Sequence, residues 1–92
     1  MHPDEIVNYI SAIPTGYSEV MYNGKKYGMS RTDFAGGRST KVYAEELGGS
    51  DHVSFNFYRT EKRGLLRTCE MPEQKVLDFL AEMTLLKNST NR

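Results

Sequence analysis

The dipeptide Asn23-Gly24 is the feature that most narrows the folds open to this chain. Both residues tolerate the positive φ angles that a two-residue β-hairpin turn requires. Segments containing aromatic and β-branched residues flank the dipeptide, so the sequence predicts strands over Tyr17–Tyr22 and Lys26–Phe34. Because so short a turn joins only antiparallel neighbours, the sheet is predicted to be antiparallel at this point.

A second signal is the alternation of Val53, Phe55 and Phe57 with polar residues, which is typical of a strand that buries one face. Glycine-rich stretches separate this segment from its neighbours and predict short connections. The strands expected in this half of the chain are Ser39–Leu47, His52–Thr60 and, as an optional fifth, Leu65 to about Glu70. The result is a meander of four or five antiparallel strands.

Helices are predicted at both ends of this meander. Pro3 suits the first turn of a helix that continues to Ile13, and Ile6, Ile10 and Ile13 fall on one stripe of it. The last helix is predicted to begin at Pro72, with a broad apolar stripe made by Val76, Leu77, Phe79, Leu80, Met83 and Leu86. We therefore expect a single α+β domain over residues 1–87, with both helices on one face of the sheet, followed by a flexible polar tail over residues 88–92.

Composition excludes several classes of protein. Twelve basic and twelve acidic residues give a net charge of zero, unlike a globally basic nucleic-acid binder. The one cysteine excludes an intramolecular disulfide, and no apolar run approaches a membrane span. The two histidines and the cysteine lack metal-ligand spacing, and no cofactor motif is present. We expect a cytoplasmic protein with no metal, no cofactor and no membrane association, either a monomer or a homodimer.

Charge is nevertheless uneven along the chain. Residues 25–67 carry nine basic and five acidic side chains, a balance of +4, and most of the aromatic residues lie in the same region. Strand alternation predicts that one face of the sheet shows Lys41, Tyr43, Asn56 and Tyr58, rimmed by Arg31, Arg38 and Arg67. Aromatic and cationic groups together can bind a single-stranded nucleic acid. A nucleoprotein, a protein partner or an ordinary solvated face is compatible with the same pattern.

Cys69 supports a different hypothesis. It precedes the predicted helix start at Pro72 and follows Arg67 closely, and both a helix N-terminus and a cation lower a thiol pKa. A thiol-dependent redox enzyme would use Cys69 as its nucleophile. The alternative is that Cys69 packs in the core, as cysteine usually does.

Three stretches carry a family resemblance: Glu46–Asp51, Val53–Arg59, and Leu65–Pro72 with Lys75-Val76. Together they resemble a family of small bacterial proteins, some of which bear the label peptide methionine sulfoxide reductase. That resemblance covers roughly residues 20–80 and implies thiol chemistry, with Cys69 as the only candidate nucleophile.

Two looser similarities point away from catalysis. A sheet followed by a final helix is similar to small single-stranded-DNA-binding domains, which is a likeness of fold alone. The small size and lack of a catalytic signature are similar to inhibitors encoded by phages or mobile elements, such as anti-CRISPR proteins. We therefore expect a non-enzymatic binding protein that uses the basic, aromatic sheet face.

Overall fold

Five consecutive strands form an antiparallel meander in the computed structural model, which describes residues 3–59, 64–68 and 71–86. These strands are β1 Gly16–Tyr22, β2 Lys25–Phe34, β3 Ser39–Glu46, β4 His52–Arg59 and β5 Gly64–Thr68. A two-residue strand, β6 Thr84–Leu85, adds to the other side of β1, so the sheet order is β5-β4-β3-β2-β1-β6. The antiparallel α+β fold is confirmed, with six strands in place of four or five.

Two helices cover one face of this sheet: α1 Pro3–Ser11 and α2 Glu73–Glu82. Ile10 of α1 and Phe79 of α2 are fully buried against the inward-pointing side chains of the strands. The core also contains Ile13, Val20, Tyr22, Tyr27, Met29, Val42, Ala44, Val53, Phe55, Phe57, Val76 and Leu80. Both helices lie on the same side, so neither α1 nor α2 covers the opposite face of the sheet.

The predicted hairpin turn is confirmed. Asn23 and Gly24 have φ angles of 55° and 75°, which are the positive values that the turn requires. The β2–β3 connection is a short 3₁₀ turn over Ala35–Gly37, where Ala35 also has a positive φ of 54°. These short turns place consecutive strands side by side.

The end of α2 differs from the prediction. The helix stops at Glu82, and Met83 takes an extended conformation with φ −68° and ψ 150°. Leu85 then pairs with Val20, and the Leu86 amide donates to the Glu19 carbonyl at 2.9 Å. The predicted stripe through Leu86 is wrong for its last part, because the backbone here forms hydrogen bonds with the edge of β1 instead of continuing the helix.

Other predicted boundaries shift by a few residues. The first helix ends at Ser11, and Ile13 closes a tighter turn by donating its amide to the Ile10 carbonyl at 3.0 Å. Thr60, the end of β5 beyond Thr68 and the polar tail lie outside the described residues. None of the helices formed by the described residues is long and apolar enough to cross a membrane.

Candidate binding face of the sheet

We call the side of the sheet opposite the helices the open face. Directly paired residues of an antiparallel sheet point to the same side, so the register assigns every side chain to a face. Met29 pairs with Ala44, and both are buried against the helices. The neighbouring pair Ser30 and Tyr43 therefore points the other way, onto the open face.

Pairing across the strands arranges the open face in four rows. The end row, nearest the β2–β3 turn, contains Phe34, Ser39, Tyr58 and Leu65. The cationic row contains Thr32, Lys41, Asn56 and Arg67. The central row contains Tyr17, Ser30, Tyr43 and Ser54. The acidic row contains Glu19, Gly28, Glu45 and His52. Successive rows lie about 7 Å apart, which is two residues along a strand.

Large apolar side chains stand exposed in the end row and the central row. Tyr17, Phe34, Tyr43, Tyr58 and Leu65 are between 36% and 62% exposed. Within each row the two aromatic residues lie two strands apart, a separation of about 10 Å. The open face therefore presents two lines of aromatic rings with the cationic row between them.

The cationic row carries two positive charges, one on β3 at Lys41 and one on β5 at Arg67. Within the part of the chain that the structure describes, neither Lys41 nor Arg67 forms an ion pair. Asn56 lies between them in the register. A phosphate or carboxylate approaching this row would meet two cations, neither of which is held by a carboxylate of the described residues.

The acidic row holds the tyrosines of the central row in place. The Tyr17 hydroxyl donates to Glu19 at 3.2 Å, and the Tyr43 hydroxyl donates to Glu45 at 3.4 Å. The ring of Tyr43 also stacks on His52, with centroids 6.0 Å apart and planes 27° apart. Both phenols therefore lean toward the acidic row, away from the cationic row.

Gly28 allows Tyr17 to lie across the sheet. A Cβ atom on Gly28 would come within 2.6 Å of the Tyr17 hydroxyl oxygen, closer than nonbonded atoms approach. The glycine in β2 thus provides space for a ring from β1. This role was not evident from the sequence, because it depends on the strand register.

Arg31 was expected on the rim of the open face, and this placement is wrong. Arg31 pairs with the buried Val42 and points toward the helices. Its guanidinium donates to the Ile10 and Ile13 carbonyls at 3.1 and 2.6 Å, and makes a bidentate pair with Asp33 at 3.1 and 3.2 Å. Arg31 therefore adds a second hydrogen bond to the Ile10 carbonyl, which also accepts from the Ile13 amide, and bonds the Ile13 carbonyl just beyond the end of α1.

A hydrogen-bond chain continues from this arginine along the helix side of the sheet. The hydroxyl of the buried Thr40 donates to Asp33 at 2.8 Å and accepts from Arg59 at 2.8 Å. Hydrogen bonds from Arg31 and then Thr40 hold the pKa of Asp33 below its usual value. This network joins α1, β2, β3 and β4, which is a structural role.

The other predicted site residues divide into two groups. Lys41, Tyr43, Asn56, Tyr58 and Arg67 lie together on the open face. Arg38 is exposed in the β2–β3 turn, next to Ser39 of the end row, and its carbonyl accepts from the Arg59 amide at 2.7 Å. Arg67 belongs to the cationic row itself instead of the rim.

Phe34 and Tyr17 were not among the predicted site residues. Phe34 shares its strand parity with Ser30, and Tyr17 pairs with Ser30 from β1. If Met29 is taken as a buried residue, the alternation of side chains along β2 places Phe34 on the open face and Arg31 on the helix side. Tyr17 required the pairing with β2 as well.

A separate polar cluster joins α2 to the β3–β4 connection on the helix side. Asp51 accepts from the Tyr27 hydroxyl at 2.7 Å and from Lys75 at 2.6 Å. The hydrogen bonds from Lys75 and then Tyr27 lower the pKa of Asp51, whereas burial first, and then its bond to Asp51, raises the pKa of Tyr27. We interpret the cluster as a structural clamp, since each member has its partner.

The remaining chemical expectations concern the thiol of Cys69 and the binding of a metal ion. Cys69, the nucleophile of the redox alternative, lies outside the described residues, so that alternative stays a prediction. Among the residues that the structure describes, no three His, Cys, Asp or Glu side chains are grouped so that they could hold a metal ion.

Comparison with protein-family models, with curated proteins and with solved structures finds no match for this chain.

Proposed function

We propose that this protein is a non-enzymatic binding protein whose open face binds single-stranded nucleic acid. The observation that supports this proposal is the position of the cationic row between two lines of exposed aromatic rings. Lys41 and Arg67 would contact phosphates, and Tyr58, Phe34 and Tyr43 would stack against bases. Specificity for a base sequence is not part of the proposal, because stacking accepts any base.

The spacing of the rows suits a nucleic-acid strand that lies across the β-strands. Each aromatic row is about 7 Å from the cationic row. A nucleotide has its phosphate on one side and its base on the other, so a single nucleotide can contact the cationic row with its phosphate and an aromatic row with its base. A duplex would keep its bases stacked inside and unavailable to the rings, which is why the proposal specifies a single strand.

Electrostatics predict modest affinity with measurable salt dependence. Three cations lie on or beside the end and cationic rows: Arg38, Lys41 and Arg67. Three phosphate contacts to a single strand give a slope of log affinity against log salt of about −2. We expect dissociation constants in the micromolar range at low salt, weakening as salt is raised.

Fluorescence anisotropy tests this proposal. Labelled DNA and RNA oligonucleotides of about 12 nucleotides are titrated at roughly 25 and 150 mM salt. We expect saturable binding with the salt slope given above. Lys41→Ala should reduce the slope by about 0.7, and Tyr58→Ala should weaken binding about tenfold without changing the slope.

Lys25→Ala is the matched control. Lys25 is an exposed cation at the β1–β2 hairpin, on the helix side of the register and 3.7 Å from Glu46. Its removal changes net charge by the same amount as Lys41→Ala but leaves the open face intact. Absence of binding at low salt, or equal losses in Lys41→Ala and Lys25→Ala, would reject the proposal.

A further inference from the structure

We infer that the open face is self-complementary and that two copies of this chain pair through it in solution. The central strand β3 carries the pattern that leads to this inference. Along β3, Lys41, Tyr43 and Glu45 follow one another on the open face. Lys41 and Glu45 are about 14 Å apart along the strand, with Tyr43 midway between them.

Two orientations of a two-fold axis keep the strands of two stacked faces aligned. A two-fold axis along the strand would place Lys41 over Lys41 and Glu45 over Glu45, which is repulsive. An axis along the central row reverses the strand direction and places Lys41 of each copy opposite Glu45 of the other. The charge pattern therefore selects the second arrangement, in which the same patch serves both copies.

The central row would then lie on the axis. The exposed Tyr43 side chains of the two copies would pack on either side of the centre, each leaning toward its own acidic row, and aromatic side chains near the centre contribute most to an interface. On β2, Phe34 of one copy would lie opposite Lys26 of the other, since the two are four positions on either side of Ser30. Stacked sheets cross at about −30°, so the match is best on β3 and weaker at the edges.

The size of the face is adequate for such a pair. Five strands of about seven residues cover a flat area of roughly 550 Å². Side chains standing on the sheet add surface to this value, and a standard interface buries about 800 Å² from each partner. The electrostatic attraction comes from two symmetry-related pairs, in each of which Lys41 of one copy faces Glu45 of the other.

Self-pairing would cover the residues that we propose to bind nucleic acid, so pairing and strand binding would compete. This regulatory consequence rests on the proposed function, whereas the pairing itself does not. Glu45 distinguishes the two events, because it attracts Lys41 of a second copy and repels a phosphate backbone.

Sedimentation velocity over a range of protein concentrations, without nucleic acid, measures the pairing. We expect a monomer–dimer equilibrium in the wild type. Lys41→Glu and Glu45→Lys should each weaken dimerisation about tenfold, because each places like charges opposite one another. The double variant Lys41→Glu/Glu45→Lys should return to within about threefold of the wild type, since its charges again face opposite charges.

Glu82→Lys is the control, because Glu82 is exposed at the end of α2, on the helix side. It reverses the same charge as Glu45→Lys and should leave the dimer unchanged. A wild type that stays monomeric at all concentrations, or a double variant as weak as either single one, would overturn the inference. Anisotropy on the same variants tests the proposed function separately. Glu45→Lys should bind a single strand more tightly than the wild type. Opposite charges on two protein copies play no part in strand binding, so their exchange should not restore the affinity of the double variant for a single strand.

Discussion

Arg31 joins the C-terminal end of α1 to the sheet, and its replacement by methionine tests that connection. Methionine keeps a long unbranched side chain but removes the guanidinium. The substitution therefore deletes two hydrogen bonds to the Ile10 and Ile13 carbonyls and both bonds to Asp33. The Arg31 side chain is only 13% exposed, so water cannot easily replace the groups that are lost.

The expected cost follows from these contacts. Hydrogen bonds with one charged partner contribute about 1.5–3 kcal/mol each. We count the two bonds to the carbonyls at the lower value and discount those to Asp33, whose side chain is 30% exposed and can be solvated. The free energy of unfolding should therefore fall by about 3 kcal/mol. For a domain of this size the melting temperature should fall by roughly 15 °C.

Arg67→Met is the matched variant on the opposite face. Arg67 is exposed in the cationic row, so its loss should change the free energy of unfolding by less than about 0.5 kcal/mol. Urea unfolding followed by circular dichroism measures both variants. The reasoning is refuted if Arg31→Met unfolds at the wild-type midpoint, or if Arg67→Met is destabilised as much as Arg31→Met.

Acid should reduce the difference between Arg31→Met and the wild type. The folded-state pKa of Asp33 is lowered, chiefly by hydrogen bonds from Arg31 and Thr40. Near this pKa the folded protein thus binds fewer protons than the unfolded chain. The stabilisation that ionised Asp33 contributes is fully present above the unfolded pKa of about 3.9. It is lost as the pH falls through the lower folded pKa. Repeating the urea unfolding between neutral pH and about pH 3 checks this trend, and a constant difference would contradict it.

Two further substitutions test the packing that positions the open face. Gly64→Ala would place a Cβ atom against the buried Phe57 ring, so calorimetry should show a loss of about 1–3 kcal/mol, and an unchanged melting temperature would contradict the close approach. Asp51→Asn weakens the clamp to Tyr27 and Lys75 and should cost about 1 kcal/mol at neutral pH, because these groups are partly exposed. This loss should shrink in acid, since the folded-state pKa of Asp51 is lowered; a larger loss at about pH 3 than at neutral pH would count against the clamp.

The sequence was sufficient for elements whose signals are local. Asn23-Gly24 specified a turn through its backbone preferences, and the alternation of Val53, Phe55 and Phe57 identified both β4 and its buried side. For the same reason, Tyr58 and Asn56 were assigned to the correct face. These features depend on a few neighbouring residues, and no distant contact overrides them.

Features that depend on pairing between distant segments were not accessible in this way. Thr84 and Leu85 have no local helix-breaking neighbour, and their strand exists because the edge of β1 is beside them. Tyr17 lies on the open face because it pairs with Ser30, and Gly28 of the next strand provides space for its ring. Arg31 lies on the helix side because it shares the strand parity of the buried Met29, and its positive charge does not indicate which face it occupies.

The central claim is that the open face is the binding surface, and a titration followed by nuclear magnetic resonance tests it most directly. An unlabelled single-stranded oligonucleotide is added to ¹⁵N-labelled protein at low salt. We expect the amide and side-chain signals of β2, β3, β4 and β5 to shift, with the largest changes at Lys41, Tyr58 and Arg67, while α1 and α2 stay unchanged. No shifts, or shifts centred on the helices, would contradict the claim.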